Sequence, residues 1–111
     1  MYNHVFVVGR IESLPDETVF ENNPNKDALM ILRLEQPFQV GEDEIEFDLI
    51  PAVLWNGMAE MVNGACKIGS LVAVTGRLIN LREQPYFKQF PVIVLRGEKV
   101  EILDRLLEEK G

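Results

Sequence analysis

The sequence predicts an all-β chain closed into a small barrel that carries one short helix, and three consecutive stretches predict it. Leu49 to Trp55 is apolar almost throughout, which suits a strand with neighbours on both faces. From Met58 to Cys66 the apolar residues Met58, Ala59, Met61, Val62, Ala65 and Cys66 recur at spacings of three and four, one side of a helix about two to three turns long. Leu71 to Arg82 then resumes as a strand, with Gly76 in its middle as the bulge or bend of a curved sheet.

The joints between these stretches carry their own signals. Asn56 and Gly57 break the first strand, with the Asn56 side-chain oxygen placed to cap the helix and Glu60 placed in the first turn, where negative charge suits the helix dipole. Gly64 weakens the helix, so packing must hold it. Its end is expected at Lys67 to Gly69, with Gly69 taking the positive φ that closes many helices.

The remaining elements follow in order. Asn3 to Ile11 is the first strand, apolar on both faces through Val5, Phe6, Val7 and Val8, with Gly9 as a bulge position. Leu14 to Lys26 is a long connection with a short strand around Val19 and Phe20 and a turn at its tip. Ala28 to Leu34 is the second strand, Leu29, Ile31 and Arg33 on one side and Met30, Leu32 and Leu34 on the other. Gln36 to Glu44 is the tip of a hairpin, after which Ile45, Phe47 and Leu49 alternate with acids. Pro51 cannot donate to a ladder, so an edge or a bulge is expected there. Arg82 to Phe90 forms a second hairpin turned at Pro85, and Pro91 to Leu103 the last strand, bent at Gly97.

The 111 residues form one domain, 47% hydrophobic and 26% charged. No apolar run reaches the ~18 residues of a membrane span and no secretory leader is visible, so a cytoplasmic protein is expected. The single cysteine, Cys66, excludes an internal disulfide and a cysteine-cluster metal site, and its helical position reads as a small buried hydrophobe. One histidine, His4, and no GxSxG, HExxH or phosphate-cradling glycine loop leave no catalytic constellation. No enzyme activity, cofactor or metal is expected.

Net charge is −7, but its distribution is uneven. Glu35 to Asp48 holds six acids and no base, whereas Lys67 to Lys99 holds six bases against Glu83 and Glu98. Exposed charges are screened beyond about 8 Å, so a basic surface can bind phosphate on an acidic protein. A merely solvated face is the other reading. The stretch REQPYFKQF interleaves Tyr86, Phe87 and Phe90 with Lys88, the combination that binds single strands by stacking bases and following the backbone. The same rings also suit packing against the barrel or a second subunit.

LWNGMAEMVNGACKIGSLVAVTGRL resembles bacterial single-stranded DNA-binding proteins from strand 3, through the helix, into strand 4. The family's strand-3 aromatic, helical "AE" pair and K-x-G-S-x-V-x-V-x-G-x-L pattern fall on Trp55, Ala59, Glu60, Lys67, Gly69, Ser70, Val72, Val74, Gly76 and Leu78. NHVFVVGRI is similar to the family's first strand. The resemblance covers residues 2 to 103 and is weak between 12 and 48.

It implies an all-β, five-stranded OB-fold Greek-key barrel over residues 1–103, with 104–111 a short C-terminal extension. Periodicity alone leaves two registers for strand 3, because both of its rows are apolar from Leu49 onward. One buries Phe47, Leu49, Val53 and Trp55. The family's register buries Ile50, Ala52 and Leu54 and turns Trp55 outward, and it is the one adopted. Strand 1 would then mediate a homo-oligomer, a homotetramer rather than a dimer.

The resemblance also implies binding of single-stranded DNA with little sequence preference, in replication, recombination and repair. Bases would stack on Trp55, with Phe38, Phe47, Tyr86 and Phe87 as further platforms. Phosphates would meet Arg10, Arg33, Lys67, Arg77, Arg82, Lys88 and Arg96. A family tryptophan falls on Leu49, which removes one platform. The acidic strand 2–3 hairpin, cationic in the family, repels phosphate, and neither a glycine-rich linker nor an acidic tip follows, as in a tail-less variant. Weak binding with a shallow salt slope is expected. The alternative is an interaction module of the primosome-accessory type on the same fold, whose acidic hairpin meets a basic partner.

Overall fold

A computed structural model of the chain describes residues 1–20, 22–35, 46–81 and 93–104. Five strands, β1 (Val5–Asp16), β2 (Ala28–Glu35), β3 (Phe47–Leu54), β4 (Leu71–Asn80) and β5 (Ile93–Ile102), close into a barrel in the order β1-β2-β3-β5-β4. One helix, α1 (Asn56–Ala65), connects β3 to β4. Every pairing is antiparallel except β3 with β5. This is the OB-fold barrel that the resemblance implies.

Closure depends on β1, which is longer than expected. Its first half pairs with β4 from Val5 to Arg10, and its second half pairs with β2 from Arg10 to Asp16. Register shifts after Ile11 and after Ser13 coil it from one partner to the other, and Pro15 is tolerated in that irregular part. The expected connection from Leu14 is thus partly strand, and the short strand expected at Val19 and Phe20 is a 3-10 turn at Glu17–Val19. Thr18 donates to the Asp16 carboxylate from its hydroxyl (2.7 Å) and its N–H (2.9 Å), holding that carboxyl below its ordinary pKa. Gly9 is not a bulge: a Cβ there would lie 2.5 Å from the Leu34 side chain and 2.9 Å from the Arg33 carbonyl oxygen, so it serves close approach to β2.

The barrel interior is filled from every strand by Ile11, Met30, Leu32, Ala52, Leu54, Val72, Val74 and Leu95, with Met58, Ala59 and Val62 of α1 packed against them. Ala52 and Leu54 are buried with Ile50 packed beside them, whereas Phe47, Leu49 and Trp55 are exposed, so the alternative row is excluded as the core. A smaller cluster forms on the outside of the sheet, where Phe20 covers Val53 and Val94 with Leu29, Ile79 and Leu81 around them. Pro51 pairs with Ile31 without a bulge, on a strand whose other side is paired only at Ala52 and Val53 among the described residues.

The helix begins two residues earlier than its apolar pattern. Trp55 is the cap residue, its carbonyl accepting the Ala59 N–H at 2.9 Å, with no side-chain cap bond. Asn56 is therefore the first helical residue rather than the cap, and Glu60 lies beyond the first turn. Met61 and Ala65 face solvent, and Cys66 is half-buried against the core. Gly69 does take a positive φ (94°), in the turn after the helix rather than at its cap. A Cβ at Gly64 would meet nothing within 4 Å. Gly64→Ala is accordingly expected to stabilise the fold by about 0.5–1 kcal/mol, read as a raised urea midpoint with unchanged slope.

Both mid-strand glycines behave as the sequence suggests. The β4–β5 register steps from Thr75–Lys99 to Gly76–Gly97, leaving one extra residue on β5. A Cβ at Gly76 would collide with the Arg96 carbonyl.

Candidate nucleic-acid interface

Barrel register sorts the outer face into rows. On β1, β2 and β3, Arg10 pairs with Arg33 and Arg33 with Leu49. The Arg33 guanidinium carbon lies 4.9 Å from the centre of the Phe47 ring, a cation–π stack that holds the ring against the sheet. Arg33 also meets Glu12 at 3.7 Å, while its buried Nε has no hydrogen-bond partner. Leu49 is 57% exposed beside this stack, at the position where the family resemblance places a tryptophan.

A second row crosses four strands: Leu29 pairs with Val53, Val53 with Arg96 and Arg96 with Arg77. Its members Val53, Arg96 and Arg77 line a cleft of about 830 Å³ together with Phe20, Asp27 and Ile79, among others. Arg96 meets Asp27 at 3.4 Å. Arg77 has no ion pair among the described residues. The mouth is held by Asn3, whose side-chain amide donates to the Leu78 carbonyl (2.8 Å) and accepts the Leu78 N–H (2.9 Å).

Trp55 follows β3 outside the barrel and is 52% exposed. Its indole lies over Gly57, where a Cβ would collide with the ring, so this glycine in the helix's first turn also seats the aromatic. Trp55 thus follows Val53 by two residues, one position past the end of β3, with its ring over the start of the helix.

The remaining predicted contacts divide. Arg10 donates to the Gly69 carbonyl at 2.9 Å and lies 3.9 Å from Asp104, whose carboxylate also accepts the Leu71 N–H at 2.7 Å. Lys67 stands in the same turn, beyond the far end of a ten-residue helix from Trp55, about 15 Å along its axis. The structure therefore separates Lys67 from the indole, and with it Arg10, which is turned toward that end. Phe38, Arg82, Tyr86, Phe87 and Lys88 lie outside the described residues. Sequence reasoning missed the carboxylates Glu12 and Asp27, because their partners are set by strand register and not by spacing.

On the outer face of β1, Phe6 and Val8 are exposed. His4 makes a tilted ring contact with Tyr2, 6.3 Å between centroids.

The family model described as single-strand binding protein family matches residues 2–85. Single-stranded DNA-binding protein B of Bacillus subtilis is 35% identical over 78 residues, covering 70% of this chain and 68% of the relative. Single-stranded DNA-binding protein A of the same organism is 34% identical over 106 residues, covering 94% of this chain but 60% of the relative. A third, single-stranded DNA-binding protein 3 of Listeria innocua, is 37% identical over a stretch that spans 48% of its own length. Among solved structures, the small single-stranded DNA-binding protein of Streptomyces coelicolor superposes with a TM-score of 0.65 at 17% identity, covering 95% of this chain and 97% of that one. The mitochondrial single-stranded DNA-binding protein of S. cerevisiae gives 0.69 at 19% identity, covering 93% and 95%. These two share the barrel, and the family model and the sequence relatives match most of its length: the chain belongs to the single-strand binding protein family.

Proposed function

We propose that this chain binds single-stranded DNA with little sequence preference and performs no catalysis. The observation that carries the reading is Trp55, outside the barrel and half-exposed, just past the end of the strand on which Val53 pairs with Arg96 and Arg96 in turn with Arg77. Bases have a π-face to lay on Trp55 and Phe47, and the guanidinium groups of Arg33, Arg77 and Arg96 suit the phosphates between them. Phe38, Arg82, Tyr86, Phe87 and Lys88 join this set on sequence grounds, and Arg10 and Lys67 extend it toward the other end of the helix. The reading includes a single barrel domain over residues 1–103, a role in replication, recombination and repair in the cytoplasm, and a homotetramer built through the exposed Phe6 and Val8 face of β1.

One observation favours the second reading, a protein-interaction module with little DNA binding. Three of the arginines already face carboxylates, on a chain of net charge −7. Titration with dT oligonucleotides separates the two, since Trp55 is the only tryptophan and reports directly. Quenching that fades as salt rises supports DNA binding, and an unchanged signal at low salt supports the interaction module. Light scattering on the same samples gives the oligomer mass.

A further inference from the structure

We infer that Asp27 and Glu12 occupy phosphate positions of the interface and act as built-in competitors that hold its affinity down. The inference rests on the proposed DNA binding and deepens it. Asp27 is the one carboxylate lining the Arg77–Arg96 cleft among the described residues, and it lies 3.4 Å from the Arg96 guanidinium. Its backbone is clipped by Asn23, whose side chain accepts the Asp27 N–H at 2.8 Å and donates to the Asp27 carbonyl at 2.6 Å. That clip fixes the main chain and leaves the carboxylate to the arginine. On the other row, Glu12 lies 3.7 Å from Arg33, projected from the point where β1 shifts register against β2.

A carboxylate and a phosphate offer a guanidinium the same acceptor geometry, so the two compete for one position. An arriving strand must first displace the carboxylate, and the freed charge then stands close to the incoming phosphate. Both carboxylates are partly exposed, so displacement costs only what a half-screened ion pair is worth. The arginine's charge is already neutralised within the protein, so fewer ions are released on binding and the salt dependence is flattened. Asp104 is a different case. It also accepts the Leu71 N–H and is part of the fold.

The test compares Asp27→Asn and Glu12→Gln with wild type in fluorescence titrations with dT oligonucleotides over a series of salt concentrations. Each variant is expected to bind about two- to fivefold tighter at low salt, with a slope of log K against log salt steeper by about 0.7. Glu60→Gln, which removes the same charge from an exposed helical position, is expected to match wild type. Adding Arg96→Ala to Asp27→Asn is expected to abolish the gain. Wild type that binds while both variants keep its affinity and slope overturns the inference and leaves DNA binding standing. Equal gains from Glu60→Gln overturn it as well, by assigning the effect to net charge. Absence of binding by wild type and by both variants at low salt overturns the DNA-binding reading itself, and the inference with it.

Discussion

Gly76→Ala is expected to destabilise the protein by about 3 kcal/mol, the upper end of what overpacking costs. The new methyl would point at the Arg96 main-chain carbonyl, with the Gly97 Cα 3.2 Å away. Neither can swing aside as a flexible side chain would, because both belong to the paired strand. Relief requires β4 and β5 to part at the bulge, which breaks ladder bonds on both sides of it and moves Arg96 and Arg77, paired there. Urea unfolding reads the loss as a lowered midpoint, in the opposite direction from Gly64→Ala. A midpoint equal to wild type would mean that the strands do not approach as closely as described.

The second large effect concerns binding. Trp55→Ala removes the one indole and is expected to weaken affinity for a dT oligonucleotide by about 1–3 kcal/mol, roughly fivefold to more than a hundredfold. Stability should change little by comparison, because the ring is 52% exposed and lies outside both apolar clusters. Anisotropy of an end-labelled oligonucleotide measures the loss without needing the tryptophan, and a denaturation curve on the same variant checks the fold. Unaltered affinity in a folded Trp55→Ala protein would move the interface away from the end of β3.

Local pattern made much of this fold readable. Period-two rows in β2 separated Met30 and Leu32 from Leu29 and Ile31, and the structure buries the first pair completely and the second partly. Gly76 and Gly97 announced the bend between β4 and β5. Features requiring two distant stretches were not readable. β1 looked finished at Ile11 because its second half, ESLPD, has the composition of a loop. It is strand only because β2 lies alongside. The helix start shifted for a local reason: Trp55 begins the helix with its backbone carbonyl and no side-chain cap bond, so the signal at Asn56 is unused. At the interface, only the family resemblance points Trp55 outward, since its row is as apolar as the core row. The pairing of Arg96 with Asp27 joins two residues far apart in the chain, and no local pattern predicts it.

The parallel seam between β3 and β5 consists of two residue pairs among the described residues, Ala52–Leu95 and Val53–Arg96. Everywhere else the barrel is stitched over longer antiparallel runs, so this is where the cylinder would first unzip. The row from Val53 to Arg96 straddles that line, and a strand of nucleic acid laid across it would act as a suture over the weakest join. Nucleic acid that held only the closed cylinder would raise its resistance to opening by mass action, so protection of this seam would grow with ligand concentration.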